Sequence, residues 1–357
     1  MVHSAKHPNG FHRGGDEGTR GVKDGFNRDI LQLDAHREIE NLCSFLRTTG
    51  MQQFRRRGVV VGISGGIDSS VVAAICVKAL GPERVLGILM PEKESSDESS
   101  RYARELAMRL GIETCTEDIS AALEGLGCYR RRDEAIRRVF PEYGPGWKSK
   151  ISLPGNLIDQ NTLNFFYLTV IDPDGMEFRE RISNPDLFQI IAASNFKQRA
   201  RMSILYYHAE EKNFLVVGTA NKNEYDLGFF VKYGDGGVDI QLISHLYKSQ
   251  VYQLARFLDI PQNIQERVPT TDTYSAGSTQ EEFFFRVPFE TLDTIWCGYE
   301  HSIPTDEIAQ VLGLEIDQVE RVISDIVRKQ KTTQYLRTSP VHYGVSQGWY
   351  EFCRFPY

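Results

Sequence analysis

The sequence predicts an α/β fold of the doubly wound kind: a mainly parallel sheet with helices on both faces, plus an inserted β-hairpin and a helical C-terminal part. Three observations predict it. The runs "VVVGI", "RVLGILM" and "FLVVGTA" are apolar at nearly every position, as strands buried on both faces must be. Helix-length segments stand between them, and such alternation gives a parallel sheet. Between the first run and its helix lies "SGGIDSS", a small-residue turn at a strand end, where open α/β sheets bind ligands.

The elements follow in order. Residues 1–27 are rich in Gly, His and Arg without an apolar period, which predicts a disordered or loosely attached arm. In "RDILQLDAHREIENLCSFLRTTG", Ile30, Leu31, Leu33, Ile39, Leu42, Phe45 and Leu46 fall mostly on one helical face, with Gly50 as the stop. Then come a strand at "VVVGI", a helix over 68–80, a strand at "RVLGILM", a helix over 97–110 and a strand at "IETCTEDI". A helix over 187–212 and the strand "FLVVGTA" continue the series.

Residues 128–186 break the alternation. "FFYLTVIDPDGMEFRERI" reads as a hairpin of two β-rich runs around Asp-Pro-Asp-Gly, and "PEYGPGWKS" before it is turn-rich. An insertion of about sixty residues exceeds a normal connection, so it is a subdomain or an ordered functional loop. Near the C-terminus, "PTDEIAQVLG" starts a helix with Thr305 as its cap, and "EIDQVERVISDIVRKQ" is amphipathic. Residues 28–340 read as one domain and 341–357 as a tail.

Composition narrows the function class. The net charge is -7, with 25% charged and 41% hydrophobic residues. That is ordinary for a globular protein and lacks the basic footprint of a nucleic-acid binder. None of the six cysteines forms a C-x-x-C pair, which argues against a zinc or thioredoxin-type motif. Cys76 and Cys115 fall in apolar patterns and read as core thiols. No apolar run has membrane length and no signal peptide opens the chain. A cytoplasmic protein with no membrane partner is expected.

The turn carries the chemistry. Gly65 and Gly66 let backbone N–H groups converge, the following helix adds its positive end, and Ser64, Ser69 and Ser70 add hydroxyls. The sum is a nest for phosphate. No Gly-Lys-[Ser/Thr] follows and the G-x-G-x-x-G spacing is absent, so neither common nucleotide motif applies. A carboxylate at the mouth, Asp68, repels phosphate unless a cation lies between, and Mg²⁺ takes one or two carboxylates plus phosphate oxygens. A capping Asp would account for Asp68 but not for the glycines and paired serines together.

"SGGIDSS" after a strand resembles the PP-loop of ATP pyrophosphatases, which split ATP to AMP and pyrophosphate while adenylating a substrate. Four further stretches are similar to the NAD synthase family in the family's order: "MPEKESSDES", "NFKQRARM", "GTANKNEYDLGFFVKYGDGGVDIQLISHLYKSQV" and "VPTTD". The resemblance implies an ammonia-dependent amide-forming ligase with ATP as substrate and Mg²⁺ as cofactor. A carboxylate, that of deamido-NAD, is adenylated and ammonia then displaces AMP. The resemblance places Ser64, Gly65, Gly66, Asp68, Ser69, Ser70, Lys93, Thr219, Lys248 and Thr270 on ATP, and Asp68 and Glu224 on the metal. It places Asn195, Arg199, Phe229, Lys232, Asp235, Asp239, Glu282, Tyr335 and Leu336 on the acceptor substrate, with Phe229 stacking on its ring. Asp68, Lys248 and Asp235 are the implied catalytic residues.

Two departures stand out. The insertion over 128–186 replaces a short connection. In "QYLRTSP", Arg337 and Pro340 align with the family while Tyr335 and Leu336 stand where His and Lys are usual, so the ATP half matches and the acceptor half is altered. The same adenylation and amidation on a different carboxylate is therefore the alternative. A non-catalytic nucleotide binder would have lost Asp68, Glu224 or Lys248, and a tRNA-modifying relative would need a basic face. The resemblance further implies a homodimer, with ammonia free in solution or supplied by a separate glutaminase, since the arm before the first helix is too short for a glutaminase domain.

Overall fold

The computed structural model describes residues 26–153, 155–159, 165–270 and 273–343. The expected arm and tail lie largely outside them. Phe26, assigned to the arm, is buried against the C-terminal helices, and its N–H donates to Glu307 Oε1 at 3.0 Å.

The alternation produces the predicted sheet. Strands β1 (Val59–Gly62), β2 (Val85–Leu89), β3 (Glu113–Thr116), β7 (Leu215–Gly218) and β8 (Ile240–Gln241) form one sheet in the order β3-β2-β1-β7-β8, with every pairing parallel. Successive side chains leave opposite faces of a strand. Val59 and Val61 accordingly pack under helices α1 (Ala35–Phe45), α2 (Ile67–Leu80), α3 (Asp97–Leu110) and α8 (Lys248–Phe257). Val60 packs on the other face against α6 (Asn184–Lys212).

The first helix ends differently from expectation. Gly50 does not stop it: α1 passes into a wider π-helical stretch at Leu46–Gln53. Gly50 is buried inside that stretch, and a Cβ there would come 3.0 Å from Leu215 Cδ1. Close packing on β7, not a left-handed cap, favours glycine at this position.

The insertion is larger than a hairpin. The predicted strands β5 (Tyr167–Ile171) and β6 (Glu177–Arg181) pair around the expected turn, where Asp172 Oδ1 accepts from Asp174 N at 2.9 Å and Met176 N at 2.8 Å. A third strand, β4 (Lys148–Ser152), comes from the turn-rich segment and pairs antiparallel with β5. Helices α4 (Ser120–Gly125) and α5 (Cys128–Val139) precede it. Ile151, Leu168 and Val170 are fully buried with Ile136 and with Leu187 and Ile190 of α6. Each such side chain is worth about 1.5–3 kcal/mol, whereas an isolated hairpin is marginal. The insertion is thus an ordered subdomain built onto the first half of α6.

After β7, α7 (Lys222–Leu227) precedes β8 and α8, and α9 (Gln262–Gln265) leads on to the C-terminal layer. That layer holds α10 (Phe289–Glu300), α11 (Thr305–Leu312), α12 (Ile316–Thr332) and α13 (Gln334–Arg337) around Trp296. Thr305 is the first helical residue of α11, with Pro304 as its cap.

Candidate active site

A cavity of about 570 Å³ opens at the carboxyl ends of β1, β2 and β7, the position the sheet topology dictates. Gly65 stands between the lining residues Ser64 and Gly66 without lining the cavity itself; it has φ +75, and a Cβ there would collide with the carbonyl oxygen of Ser99. Only glycine fits this turn. Gly66 caps α2 in extended conformation. Ser64 Oγ accepts from Gly66 N at 3.3 Å and shares a proton with Ser69 Oγ at 3.2 Å. Both hydroxyls line the cavity. Ser70 does not: it is fully buried and its hydroxyl donates to Gly66 O at 2.8 Å. It points into the helix turn and away from a ligand.

Asp68 reaches into the cavity from the first turn of α2, 2.5 Å from Lys248 Nζ. Lys248 begins α8 and is wholly buried. Burial alone would neutralise the ammonium, but Asp68 and then Glu224 outweigh it and hold Lys248 above its ordinary pKa. Glu224 sits in the first turn of α7 through a capping box with Asn221: Asn221 Oδ1 accepts from Glu224 N at 3.0 Å, and Glu224 Oε2 accepts from Asn221 N at 3.2 Å. The same Asn221 donates through Nδ2 to Asp68 Oδ1 at 2.9 Å. Asn221 therefore fixes both carboxylates, a role sequence reasoning missed. The N-x-x-E of a capping box was the available signal.

The donor set fits a hard divalent cation. Burial and then Asp68 push the Glu224 carboxyl up, the mark of two acids facing one space. Beside them, Gln280 donates to Glu224 Oε1 at 3.1 Å, while its own Oε1 is a buried acceptor with no hydrogen-bond partner. Oxygen ligands of this kind suit Mg²⁺.

Two cations that sequence reasoning missed also line the cavity. Arg267 is braced by Ser99 Oγ at 2.7 Å and Gly65 O at 3.4 Å, and Arg201 by Met90 O at 3.3 Å. Planar guanidiniums on fixed supports suit phosphate. Neither arginine lies in a motif with a phosphate signature.

Of the other implied residues, Thr219, Thr270, Asn195, Phe229, Asp235, Tyr335 and Leu336 line the cavity. Phe229 is one wall of an aromatic cluster, with ring centroids 5.0 Å from Phe284 and 5.4 Å from Phe285, so packing already claims part of the ring. Asp235 Oδ1 accepts from Val231 N at 2.8 Å. The surrounding wall pushes its carboxyl up to about 6, an effect limited by its exposure at the cavity mouth.

Five implied residues are placed elsewhere. Lys93 is on the surface, 3.4 Å from the centroid of Tyr129 and 3.6 Å from Glu124. Lys232 donates to the carbonyls of Tyr335 and Thr338 at 2.8 Å each, tethering α13. Asp239 Oδ2 accepts from Val216 N at 2.8 Å and so completes the sheet edge. Glu282 pairs with Lys150 of β4 at 3.0 Å. Arg199 is absent from the lining although Asn195 is present. At about 100° per residue, the lining face runs through Ile191, Asn195, Gln198, Met202 and Leu205, and Arg199 falls on its margin.

Above the cavity lies a buried ionic network. Lys197 Nζ donates to Glu92 Oε1 and Glu94 Oε2 at 2.8 Å each and to Thr273 O at 3.1 Å. Arg132 of α5 holds Glu94 at 2.7 Å, and Tyr129 donates to Glu92 at 2.7 Å. Despite its burial, Glu94 is lowered to about 2 by Arg132 and Lys197. The network ties the loop after β2, the insertion and the loop after Thr270 to α6.

The NAD synthase family model matches residues 38–135 and 156–340. The chain belongs to the NAD synthase family. An NH(3)-dependent NAD(+) synthetase of Mesorhizobium japonicum is 48% identical over 312 residues, covering 87% of this chain and 98% of that relative. One from Rhizobium meliloti is 45% identical over 315 residues, covering 88% and 94%. The fold matches the solved NH3-dependent NAD synthetase of Campylobacter jejuni with a TM-score of 0.56 and 24% identity, over 87% of this chain and 99% of that one. An NMN synthetase from Francisella tularensis aligns with TM-score 0.55 and 22% identity, over 88% and 100%. Strand β4 falls in the one gap of the family match.

Proposed function

We propose that this NAD synthase family member is an ATP-dependent, AMP-forming amide ligase that converts deamido-NAD and ammonia to NAD. The observation that carries the reading is the Asp68–Lys248 pair beside the glycine turn, with Glu224 and two arginines facing the same cavity. The curated relatives, NH(3)-dependent NAD(+) synthetases by name, support it.

The triphosphate of ATP lies along the turn from Ser64 to Ser69, with Arg267 and Lys248 balancing its charge. The substrate carboxylate attacks the α-phosphorus, the bond to the β-phosphate bridging oxygen breaks, and pyrophosphate leaves. Ammonia then attacks the acyl carbon, the carbon–oxygen bond to AMP breaks, and Asp235 takes the surplus proton. Asp68 and Glu224 would hold Mg²⁺, which when bound neutralises phosphate charge and makes pyrophosphate a better leaving group. For the rest, this chain's groups position reactants and stabilise developing charge. No covalent enzyme intermediate is required.

A second reading has one observation in its favour. Tyr335 and Leu336 line the cavity where the family usually has His and Lys, so a different carboxylate is the competing acceptor. AMP release measured with deamido-NAD and ammonium, against a panel of carboxylates, separates the two. Turnover confined to deamido-NAD is the expected result; turnover on another acid alone defeats the first reading. Leu336→Lys then reports whether the altered position tunes affinity for that substrate. A homodimer is also proposed, and sedimentation velocity showing only monomer would refute it.

A further inference from the structure

On the outer edge of the sheet, three side chains of different chemistry that do not line the cavity converge. Cys115 belongs to the edge strand β3, and Glu117 follows it with its N–H on Leu89 O at 2.8 Å. His208 lies near the C-terminal end of α6, one turn beyond the cavity-lining Leu205. His208 Nε2 is 2.9 Å from Glu117 Oε1, and Cys115 Sγ is 3.7 Å from the same oxygen. All three donor atoms fall within 4.8 Å of one another. We propose that Cys115, Glu117 and His208 are a binding site for a divalent transition metal of the zinc class, independent of the nucleotide site.

The spacing suits it. With metal–ligand bonds of about 2.0–2.3 Å in a tetrahedron, neighbouring donors stand roughly 3.3–3.6 Å apart; the 2.9 and 3.7 Å pairs are within a few tenths of an ångström of that, and the Cys115–His208 pair, within 4.8 Å, closes by a side-chain movement of at most about an ångström. The chemistry suits it as well: a thiolate and an imidazole beside one carboxylate select zinc-class ions over magnesium or calcium. On the far side of the ring, Glu211 Oε2 stands 3.7 Å from His208 Nδ1, longer than a hydrogen bond but near enough to swing into the orienting contact that a metal-bound histidine commonly makes. The His208 side chain is 9% exposed and that of Glu117 35%, which leaves a solvent side for a fourth ligand such as water.

Burial, then Glu117, Glu113 and Glu211, hold the Cys115 thiol protonated. A dication reverses that field and releases the proton as the thiolate binds. The ligands come from distant parts of the chain, with Glu117 and His208 91 residues apart, so no C-x-x-C pattern announces them. Cys115, read from sequence as a core thiol, is only partly buried. Occupancy would clamp the exposed strand β3 to the helix that walls the cavity.

The test uses full-length, chelator-treated protein titrated with Co²⁺. One thiolate-bound ion per chain is expected, read from a near-ultraviolet thiolate-to-cobalt charge-transfer band that Zn²⁺ abolishes by displacement; Co²⁺ on the oxygen site of Asp68 and Glu224 gives no such band. Cys115→Ser should lose the band, and His208→Gln should weaken Co²⁺ binding at least roughly tenfold, each with unchanged circular dichroism. Asp68→Asn, which alters the oxygen site and the Lys248 pair but none of the three proposed ligands, and Cys353→Ser, at a cysteine near the end of the sequence, should keep the band. Absence of the band in the unsubstituted protein, its survival in Cys115→Ser, or its loss in Cys353→Ser would overturn the assignment.

Discussion

Lys248 and Asp68 lie 180 residues apart in sequence and 2.5 Å apart in space, and their contact decides what either can do. Each was legible alone: Asp68 from the phosphate nest it contradicts, Lys248 from the family pattern. Their pairing was not, because it depends on how α2 and α8 pack. It also changes what a substitution means. Asp68→Asn should lower AMP formation by about 100-fold or more. It also leaves a buried ammonium short of its nearest countercharge, costing about 1–3 kcal/mol, with Glu224 compensating in part. Activity assays and urea unfolding measure the two losses. Full turnover in Asp68→Asn would remove the basis of the proposed site. Ser70, Lys93, Asp239 and Glu282 show the limit at this scale. Sequence gives a residue type and a neighbourhood, but the direction of a side chain is set by what surrounds it.

At the scale of elements, the site depends on helix starts being held in register. Asp293 of α10 accepts from Asn223 Nδ2 at 2.5 Å and from Ser249 N at 2.8 Å, pinning the N-terminal turns of α7 and α8. Burial pushes its carboxyl from 3.8 to about 6. A raised acid binds more protons folded than unfolded between those values. Its stabilising contribution is therefore full below about pH 3.8 and is lost as pH rises through about 6. The unfolding free energy of the wild type relative to Asp293→Asn should fall across that window and stay level above pH 7. A flat difference from pH 4 to 7 would contradict this. Lys197 on α6 is the other joint. Lys197→Ala strands Glu92 and Glu94 in a buried network and should cost about 3–5 kcal/mol. Glu92→Gln in the same chain should recover part of the loss, a coupling that a double-mutant cycle reads directly. The central strands β1, β2 and β7 were legible because buried parallel strands are apolar at consecutive positions; β3 was expected although it is mostly exposed, and the two-residue β8 was not expected. β4 was not, because its segment "KSKIS" alternates polar residues over a short span and becomes a strand only by pairing with β5.

For the whole molecule, the insertion is part of the site. Phe166, just before β5, lines the cavity together with Tyr274, whose ring packs into the core of the insertion. Phe166→Ala should raise the KM for the carboxylate substrate several-fold with a smaller change for ATP; equal effects on both would place the insertion outside the acceptor end. Among the described residues, no helix is long and apolar enough to cross a membrane. The sequence by itself determined the layered α/β fold and the phosphate turn with Asp68 at its mouth, because those follow from local periodicity and from residue types the chemistry cannot replace; Glu224 and Lys248 were pointed to only by the resemblance of their motif to the family. Only the tertiary structure decided which of these groups share one cavity, that Asn221 and Asp293 hold them there, that Arg267 and Arg201 join them, and that the inserted subdomain supplies a wall. Those are contacts between segments far apart in the chain, fixed by close packing and by the need of every buried charge for a partner, and no local pattern records them.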